Sequence, residues 1–139
     1  MSRIFVDAWA WLALHNPRDN FHEVALATYD ELLDQGYQLV TTNFVLAETY
    51  TNLRRWGSAR LSIKFGNSLL PITETGALEI IRVNAEDEAA AWILFEKYDD
   101  LLDLSYIDCA SFAVMQRLGL SEVLTGDKHF ALMGFTIRP

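Results

Sequence analysis

Five short and largely apolar runs recur along the chain, separated by longer segments with helical patterns. The runs are RIFV at 3–6, YQLVT at 37–41, LEIIRV at 78–83, EVLT at 122–125 and FTIR at 135–138. Runs that stay apolar, instead of alternating with polar residues, are typical of strands covered on both faces. The pattern therefore predicts five strands buried between layers of helices.

The segments between these runs have the apolar spacing and the end signals of helices. They predict helices over 8–14, 21–36, 43–57, 59–70, 85–98 and 105–119, with the prolines in loops around Pro17 and Pro71. Strands that alternate with helices are joined by right-handed crossovers and form parallel sheets. We therefore expect a three-layer α/β/α fold around a central, mostly parallel five-stranded sheet.

Length and composition add a domain count and a cellular setting to this picture. The chain has 139 residues, about half of them apolar, which predicts a single domain over 1–139. Neither a signal peptide nor an apolar run of roughly 20 residues is found, so no membrane association is expected. Cys109 is the one cysteine and lies in an apolar pattern, which favours a core residue and a reducing cytoplasm.

The charge restricts how such a protein could meet nucleic acid. The formal net charge is −8, whereas passive binding to a polyanion depends on phosphate neutralisation by Lys and Arg. If the protein binds nucleic acid, something other than its side chains must supply positive charge.

Two acids follow predicted strands directly. Asp7 comes after the first strand and Asp127 after VLTG, at the carboxyl ends where open α/β sheets place ligands. Each could instead cap a helix. Gly126 would let the chain turn sharply before Asp127. Trp9, Trp11, Leu12 and Leu14, which follow Asp7, are expected to pack in the core.

Three further acids come from the helices and from the loop before one of them. Glu48 lies early in the helix after the second strand, where it could be an ordinary exposed glutamate, or its side chain can reach back toward the same sheet edge. Asp108 is three residues after Ser105, the spacing of a capping box, which needs no catalysis to explain it. Asp103 could be an ordinary loop residue.

A purely structural role can explain each acid alone, but it explains poorly why four acids should converge at one place. If Asp7, Glu48, Asp108 and Asp127 meet at one end of the sheet, their repulsion costs stability unless a cation lies among them. His15, His22 and His129 have no metal-ligand spacing with one another, so an oxygen-rich site for Mg²⁺ or Mn²⁺ is favoured over one for Zn²⁺. Such an ion can draw a phosphodiester into an acidic protein and activate water for in-line displacement.

With this order of acids, the chain resembles the PIN-domain ribonucleases, in particular the VapC-type toxins of toxin–antitoxin pairs. The segment DLSYIDCASFAVMQRLGLSEVLTGDKHFALMGF, over 103–135, resembles the end of that family's sequence. IFVDAWAWLAL resembles its first strand and acid, and TTNFVLAETY its glutamate-bearing helix. The similarity extends over essentially the whole chain.

The resemblance implies a metal-dependent endoribonuclease with sheet order 3-2-1-4-5, an RNA substrate, homodimers and an antitoxin partner. It implies that Asp7, Glu48, Asp108 and Asp127 hold the metal, with Asp103 and Ser105 in support. Thr125 is the expected nearby hydroxyl, and Arg54, Arg55 and Lys128 are the candidates for contacts with the RNA backbone.

Two departures keep an alternative open. The family usually has Thr and Ser after the first Asp, where this chain has Ala8 and Trp9, and a more polar residue is common at the position of Gly126. The alternative is a catalytically degenerate PIN-like interaction protein. A phosphatase-like hydrolase is less compatible, because VDAW lacks the second aspartate that a phosphoaspartyl mechanism generally uses.

Overall fold

A computed structural model describes residues 2–139 and contains one sheet whose five strands are all parallel. The strands are β1 (Arg3–Val6), β2 (Gln38–Thr42), β3 (Leu78–Ile81), β4 (Glu122–Leu124) and β5 (Thr136–Arg138). Their order is β3-β2-β1-β4-β5. This confirms the predicted α/β/α fold and its sheet order.

Within residues 2–139, seven helices connect and cover the strands. They are α1 (Ala8–His15), α2 (His22–Asp34), α3 (Asn43–Trp56), α4 (Ala59–Glu74), α5 (Ala85–Lys97), α6 (Tyr106–Leu118) and α7 (Lys128–Leu132). The first six were predicted from the sequence. Among residues 2–139, no helix has both the length and the apolar character needed to cross a bilayer.

The end of α4 corrects one prediction. Pro71 was placed in a loop, but α4 continues through it to Glu74. Proline removes one helical N–H, yet Leu69 before it is buried and Ile72 after it packs against the core. Thr75 closes the last turn by donating its backbone N–H to the Pro71 carbonyl at 3.3 Å. Packing on both sides of the proline therefore outweighs the loss of one hydrogen bond.

The core lies on the central strand and on α6. Ile4, Phe5 and Val6 of β1 are fully buried, and α6 is buried without interruption from Cys109 to Met115. Cys109 is thus a core residue, as predicted. Burial of both elements fixes the start of α6 and the end of β1 relative to each other, and these are two of the places from which acids were expected to converge.

An ion pair between buried Asp87 and exposed Arg117 ties α5 to α6. Asp87 is 2 % exposed and receives two hydrogen bonds from Arg117, from Nε at 2.7 Å and from Nη2 at 2.9 Å. The Arg117 side chain holds the pKa of Asp87 below its ordinary value. Asp87 also forms a capping box with Asn84 at the start of α5. The pair fixes α6, which carries Asp108, against its neighbouring helix.

Hydrogen bonds also lock the carboxyl edge of the sheet. Trp11 donates its Nε1–H to the Thr41 hydroxyl at 3.3 Å, and that hydroxyl donates to the Val6 carbonyl at 2.9 Å. Thr42 caps α3 by accepting the backbone N–H of Val45 at 3.1 Å. The first turns of α1 and α3 are therefore held directly over the ends of β1 and β2.

Candidate active site

All four predicted acids line one cavity of about 430 Å³ at the carboxyl edge of the sheet. The lining residues are Asp7, Trp9, Leu12, Glu48, Asp103, Ser105, Asp108 and Asp127. Strand ends bring Asp7 and Asp127 there. Glu48 and Asp108 arrive from helices that begin at the same edge, because a helix next to a parallel strand usually runs opposite to it.

Asp7 is the most deeply buried of these acids. It is 5 % exposed and accepts a hydrogen bond from the Thr125 hydroxyl at 2.9 Å. Burial, together with the negative charge of Asp108, raises the pKa of Asp7 from 3.8 to about 7, although the Thr125 hydrogen bond opposes the rise. The Thr125 hydroxyl also accepts the backbone N–H of Asp127 at 3.0 Å. One buried threonine therefore orients two of the acids.

Asp108 takes part in a helix cap and also lines the cavity. It forms a capping box with Ser105: the Ser105 hydroxyl accepts the Asp108 N–H at 2.9 Å, and Asp108 Oδ2 accepts the Ser105 N–H at 3.1 Å. It also lines the cavity. Burial and the charge of Asp127 raise the pKa of Asp108, whereas the hydrogen bonds to Ser105 lower it.

Glu48 lies on α3 and is partly buried. Burial raises its pKa, and the charges of Asp108 and Asp127 raise it further. Three acids from three different elements thus have raised pKa values, and each feels the charge of another. The carboxylates are close enough to repel one another, as the sequence predicted.

Asp127 caps the short helix α7 by accepting the His129 backbone N–H at 3.0 Å. The sequence left a helix cap and a site residue as alternatives for Asp127; the residue caps the helix and also lines the cavity.

His129 is the residue that sequence reasoning missed. Its Nε2 lies 3.0 Å from Oδ1 of Asp103, and its Nδ1 lies 2.9 Å from Oδ1 of Asp127 without hydrogen-bond alignment. Burial lowers the pKa of His129, but the charges of Asp127 and Asp103 outweigh it and the pKa is raised. Ligand atoms of Asp108, Asp127 and His129 all lie within 4.8 Å of one another. The sequence signal that could have indicated His129 is local, because this histidine lies two residues after Asp127. Its spacing from the other histidines carries no such signal.

The predicted basic residues do not line this cavity. Arg54 and Arg55 are exposed in the last turn of α3, and Lys128 is exposed at the start of α7. The cavity lining contains no Lys or Arg. Its carboxylates are therefore not neutralised by basic lining residues.

The aromatic and apolar residues of α1 pack in or against the core as predicted, and two of them also line the cavity. Trp11 is buried and Leu14 packs against the core, as expected. Trp9 and Leu12 also pack against the core, but they line the acidic cavity as well. Both residues lie on one face of α1, three positions apart, and that face looks partly into the cavity.

Gly126 has a different role from the predicted one. It is not among the glycines with positive φ, so the turn before Asp127 does not require glycine. A Cβ on Gly126 would lie 2.5 Å from Cζ2 and 2.8 Å from Nε1 of Trp9, and closer still to Cε2. Glycine is needed here because the indole occupies the space of a side chain. The two departures at positions 9 and 126 are thus in contact and complementary.

We expect Gly126→Ala to destabilise the protein by about 1–3 kcal/mol, because the added methyl group must displace the indole. In a Trp9→Ala background the same change should cost little. Gly66→Ala is a matched control, since its Cβ would meet only Tyr50 at an ordinary 3.4 Å. Urea unfolding of the four proteins and wild type measures this, and equal costs of Gly126→Ala in both backgrounds would contradict the packing argument.

The site fits a divalent cation. Its donors are mainly carboxylate oxygens, which suit Mg²⁺ and Mn²⁺, and Asp7 is buried with a pKa raised to about 7. A buried carboxylate with raised pKa among other acids is stabilised in its charged form when a cation joins it. The residues that could hold such an ion are Asp7, Glu48, Asp108 and Asp127, with His129 beside the last two.

Comparisons with known proteins agree with this geometry. A model of the PIN domain matches residues 4–135. The 23S rRNA-specific endonuclease VapC20 of Mycobacterium tuberculosis is 31 % identical over 137 residues, which are 98 % of this chain and 98 % of that protein.

Solved structures show the same likeness. The crystal structure of M. tuberculosis VapC20, described as a sarcin–ricin loop cleaving toxin, has a TM-score of 0.83 at 30 % identity and covers 98 % of this chain and 99 % of its own. VapBC2 from Rickettsia felis, bound to a promoter DNA fragment, has a TM-score of 0.70 at 14 % identity and covers 98 % and 97 %. FitAcB from Neisseria gonorrhoeae has a TM-score of 0.67 at 16 % identity, with 98 % and 96 % covered. At 14 % and 16 % identity, the last two structures support only a similarity of fold.

Proposed function

Because this chain belongs to the PIN-domain family, we propose that it is an endoribonuclease that hydrolyses RNA phosphodiester bonds with Mg²⁺ or Mn²⁺ held by Asp7, Glu48, Asp108 and Asp127. The observation that supports this best is the meeting of the four carboxylates in one cavity. When bound, a divalent ion there supplies activation of water and stabilisation of the charge that develops on the phosphate.

The protein's own groups orient the acids in this proposal. Thr125 holds Asp7 and the backbone of Asp127, and the capping box with Ser105 holds Asp108. Asp103 contacts His129, which lies against Asp127. These contacts fix the acids before any ligand arrives, which lowers the reorganisation needed for catalysis. Asp103 and Ser105 are thus positioning residues.

Positive side chains would act outside the cavity. Arg55 lies seven positions after Glu48 on α3, so both residues share one face of the helix, about 10 Å apart along its axis. Arg54 is turned away from that face, and Lys128 follows Asp127 directly. We assign Arg55 and Lys128 as the first candidates for contacts with the RNA backbone, and Arg54 as a weaker one.

The substrate and partners are carried over as proposals from the relatives. Because the 31 % identical relative is described as specific for 23S rRNA, a 23S rRNA fragment containing the sarcin–ricin loop is the first RNA to test. We also propose that the chain acts as a toxin restrained by an antitoxin and that it forms a homodimer. A small protein encoded beside this chain is the antitoxin candidate for co-expression and co-purification.

The test is RNA cleavage in EDTA, Mg²⁺ and Mn²⁺. We expect cleavage of the 23S rRNA fragment with either ion, no cleavage in EDTA, and recovery when excess Mn²⁺ is added back. Divalent ions supply a nucleophile that carboxylates alone cannot generate at neutral pH. Cleavage that persists in EDTA would contradict the role of the metal.

The degenerate interaction protein is separated from the nuclease by calorimetry with Mn²⁺. A nuclease site should give saturable binding, whereas a scaffold with scattered acids should give none. Ala8 favours the scaffold, since it provides no hydroxyl after Asp7. The Thr125 hydroxyl, at 2.9 Å from Asp7, offers the hydrogen bond that Ala8 cannot, and this favours the nuclease.

A further inference from the structure

Trp9 lies on the wall of the acidic cavity, beside the carboxylates. It is the second residue of α1 and follows Asp7 by two positions. Its partly exposed side chain lines the cavity together with the acids. No step of the proposed hydrolysis uses it, so its position remains to be explained.

The indole has two close neighbours. The Phe21 ring lies 5.2 Å from the Trp9 ring between centroids, tilted by 43°, and Gly126 lies so close to the indole that a Cβ built there would be 2.5 Å from Cζ2. Phe21 is 51 % exposed. An indole that served only to fill the core would not need an exposed aromatic neighbour. Trp9 and Phe21 instead form a partly exposed aromatic surface, of which Trp9 lines the cavity.

The occupant of this surface follows from charge and from stacking. The protein has a net charge of −8 and no Lys or Arg in the cavity lining, so phosphate neutralisation contributes less to RNA affinity than usual. Stacking of an unpaired base on an aromatic side chain needs no positive charge and tolerates any base, because each base has a π-face. An aromatic surface therefore compensates for the shortage of basic residues.

We propose that Trp9, supported by Phe21, stacks with an unpaired nucleobase of the RNA strand and so positions the neighbouring phosphate at the acids. This inference rests on the proposed function and deepens it, since it names a side chain outside the acidic cluster that binds the substrate. Trp9 is a positioning residue here: it binds the substrate but touches neither the reacting atoms nor the metal.

The first test separates substrate binding from chemistry. We expect Trp9→Ala to raise KM for RNA cleavage in Mn²⁺ roughly tenfold to a hundredfold, with a smaller decrease in kcat and with Mn²⁺ affinity unchanged. Trp9→Phe should restore most of the lost affinity, and Phe21→Ala should have a smaller effect in the same direction. Trp92→Ala is the matched control, because Trp92 and Phe95 form another exposed aromatic pair, 5.8 Å apart and outside the cavity.

The second test asks whether the bases are bound. Affinities are measured in Ca²⁺ for an oligouridine and for an abasic ribose-phosphate chain of the same length, about ten nucleotides. Wild type should prefer the oligouridine, and Trp9→Ala should lose that preference without changing its affinity for the abasic chain. Equal affinity of wild type for the two chains, or binding of neither, overturns the proposal.

A purely structural role has a different signature. If Trp9→Ala lowers kcat or Mn²⁺ affinity and leaves KM unchanged, the indole merely shapes the acid site and the proposal is wrong. Failure of the proposed function is distinct from this, because wild type would then not cleave RNA in Mn²⁺ at all, whereas the two binding measurements in Ca²⁺ would still decide whether Trp9 stacks with bases.

Discussion

Replacing Asp7 with asparagine should slow RNA cleavage by about a hundredfold or more in saturating Mn²⁺. Loss of an outer partner of a metal ligand already costs about 10–100-fold in affinity or activity, and Asp7→Asn removes the charge of a proposed ligand itself. The change is nearly isosteric, and the amide oxygen can still accept the Thr125 hydrogen bond. The loss should therefore come from chemistry and metal binding, not from misfolding.

The measurement is the initial rate of cleavage of one labelled RNA by wild type and by the variant, with Mn²⁺ calorimetry on both proteins. Asp30→Asn is the control, since it removes the same charge from an exposed position on α2. Equal rates for wild type and Asp7→Asn would be incompatible with the proposed mechanism. A slow Asp30→Asn variant would point to overall charge as the cause.

The sequence contained enough information to place the acids. Apolar runs such as RIFV and EVLT predict covered parallel strands, and parallel strands end at a common edge. Asp7 follows β1 directly and Asp127 lies three positions after the last residue of β4, so their meeting depends mainly on topology. Asp108 was anchored by its spacing from Ser105. Each of these inferences uses local sequence and one general rule of α/β sheets, which explains why they transfer to the structure.

What the sequence could not show depends on contacts between distant segments. His129 meets Asp103 across 26 positions of the chain, and no spacing rule connects them. Trp9 fills the space beside Gly126. The choice of residue at each position is therefore explained only by its contact with the other. Gly126 was instead assigned to a sharp turn, because glycine has two common explanations and only coordinates distinguish them. The helix through Pro71 likewise needed knowledge of its packing.

Three of the acids in the cavity also make hydrogen bonds that stabilise the fold. Asp108 and Asp127 cap helices, and Asp7 bonds a buried threonine. Capping and buried hydrogen bonds each favour the ionised carboxylate, while burial and mutual repulsion oppose it. Asp7 is the least exposed of these acids, and its burial opposes the ionised form strongly enough to raise its pKa to about 7. The metal-free protein should therefore be least stable at the pH values at which Asp7 must ionise.

This leads to the second large effect, on stability. The pKa of Asp7 is about 7 in the folded protein against an ordinary 3.8, so between these values the folded state holds a proton that the unfolded state has lost. Wild type must therefore lose stability as pH rises through this window, and above it the loss corresponds to roughly 4 kcal/mol. Asparagine carries no such proton. In EDTA, the free energy of unfolding of Asp7→Asn should exceed that of wild type by roughly 2 kcal/mol near pH 5 and by roughly 4 kcal/mol near pH 8.

Urea unfolding at both pH values, in EDTA and in Mn²⁺, measures this difference. Mn²⁺ at a hundred times its dissociation constant should stabilise wild type by about 2.7 kcal/mol, and it should stabilise Asp7→Asn less because one ligand has lost its charge. Asp30→Asn should follow wild type under every condition. If Asp7→Asn and wild type are equally stable near pH 8 in EDTA, the buried carboxylate carries no penalty, and repulsion among the acids cannot be the reason for a cation at this site.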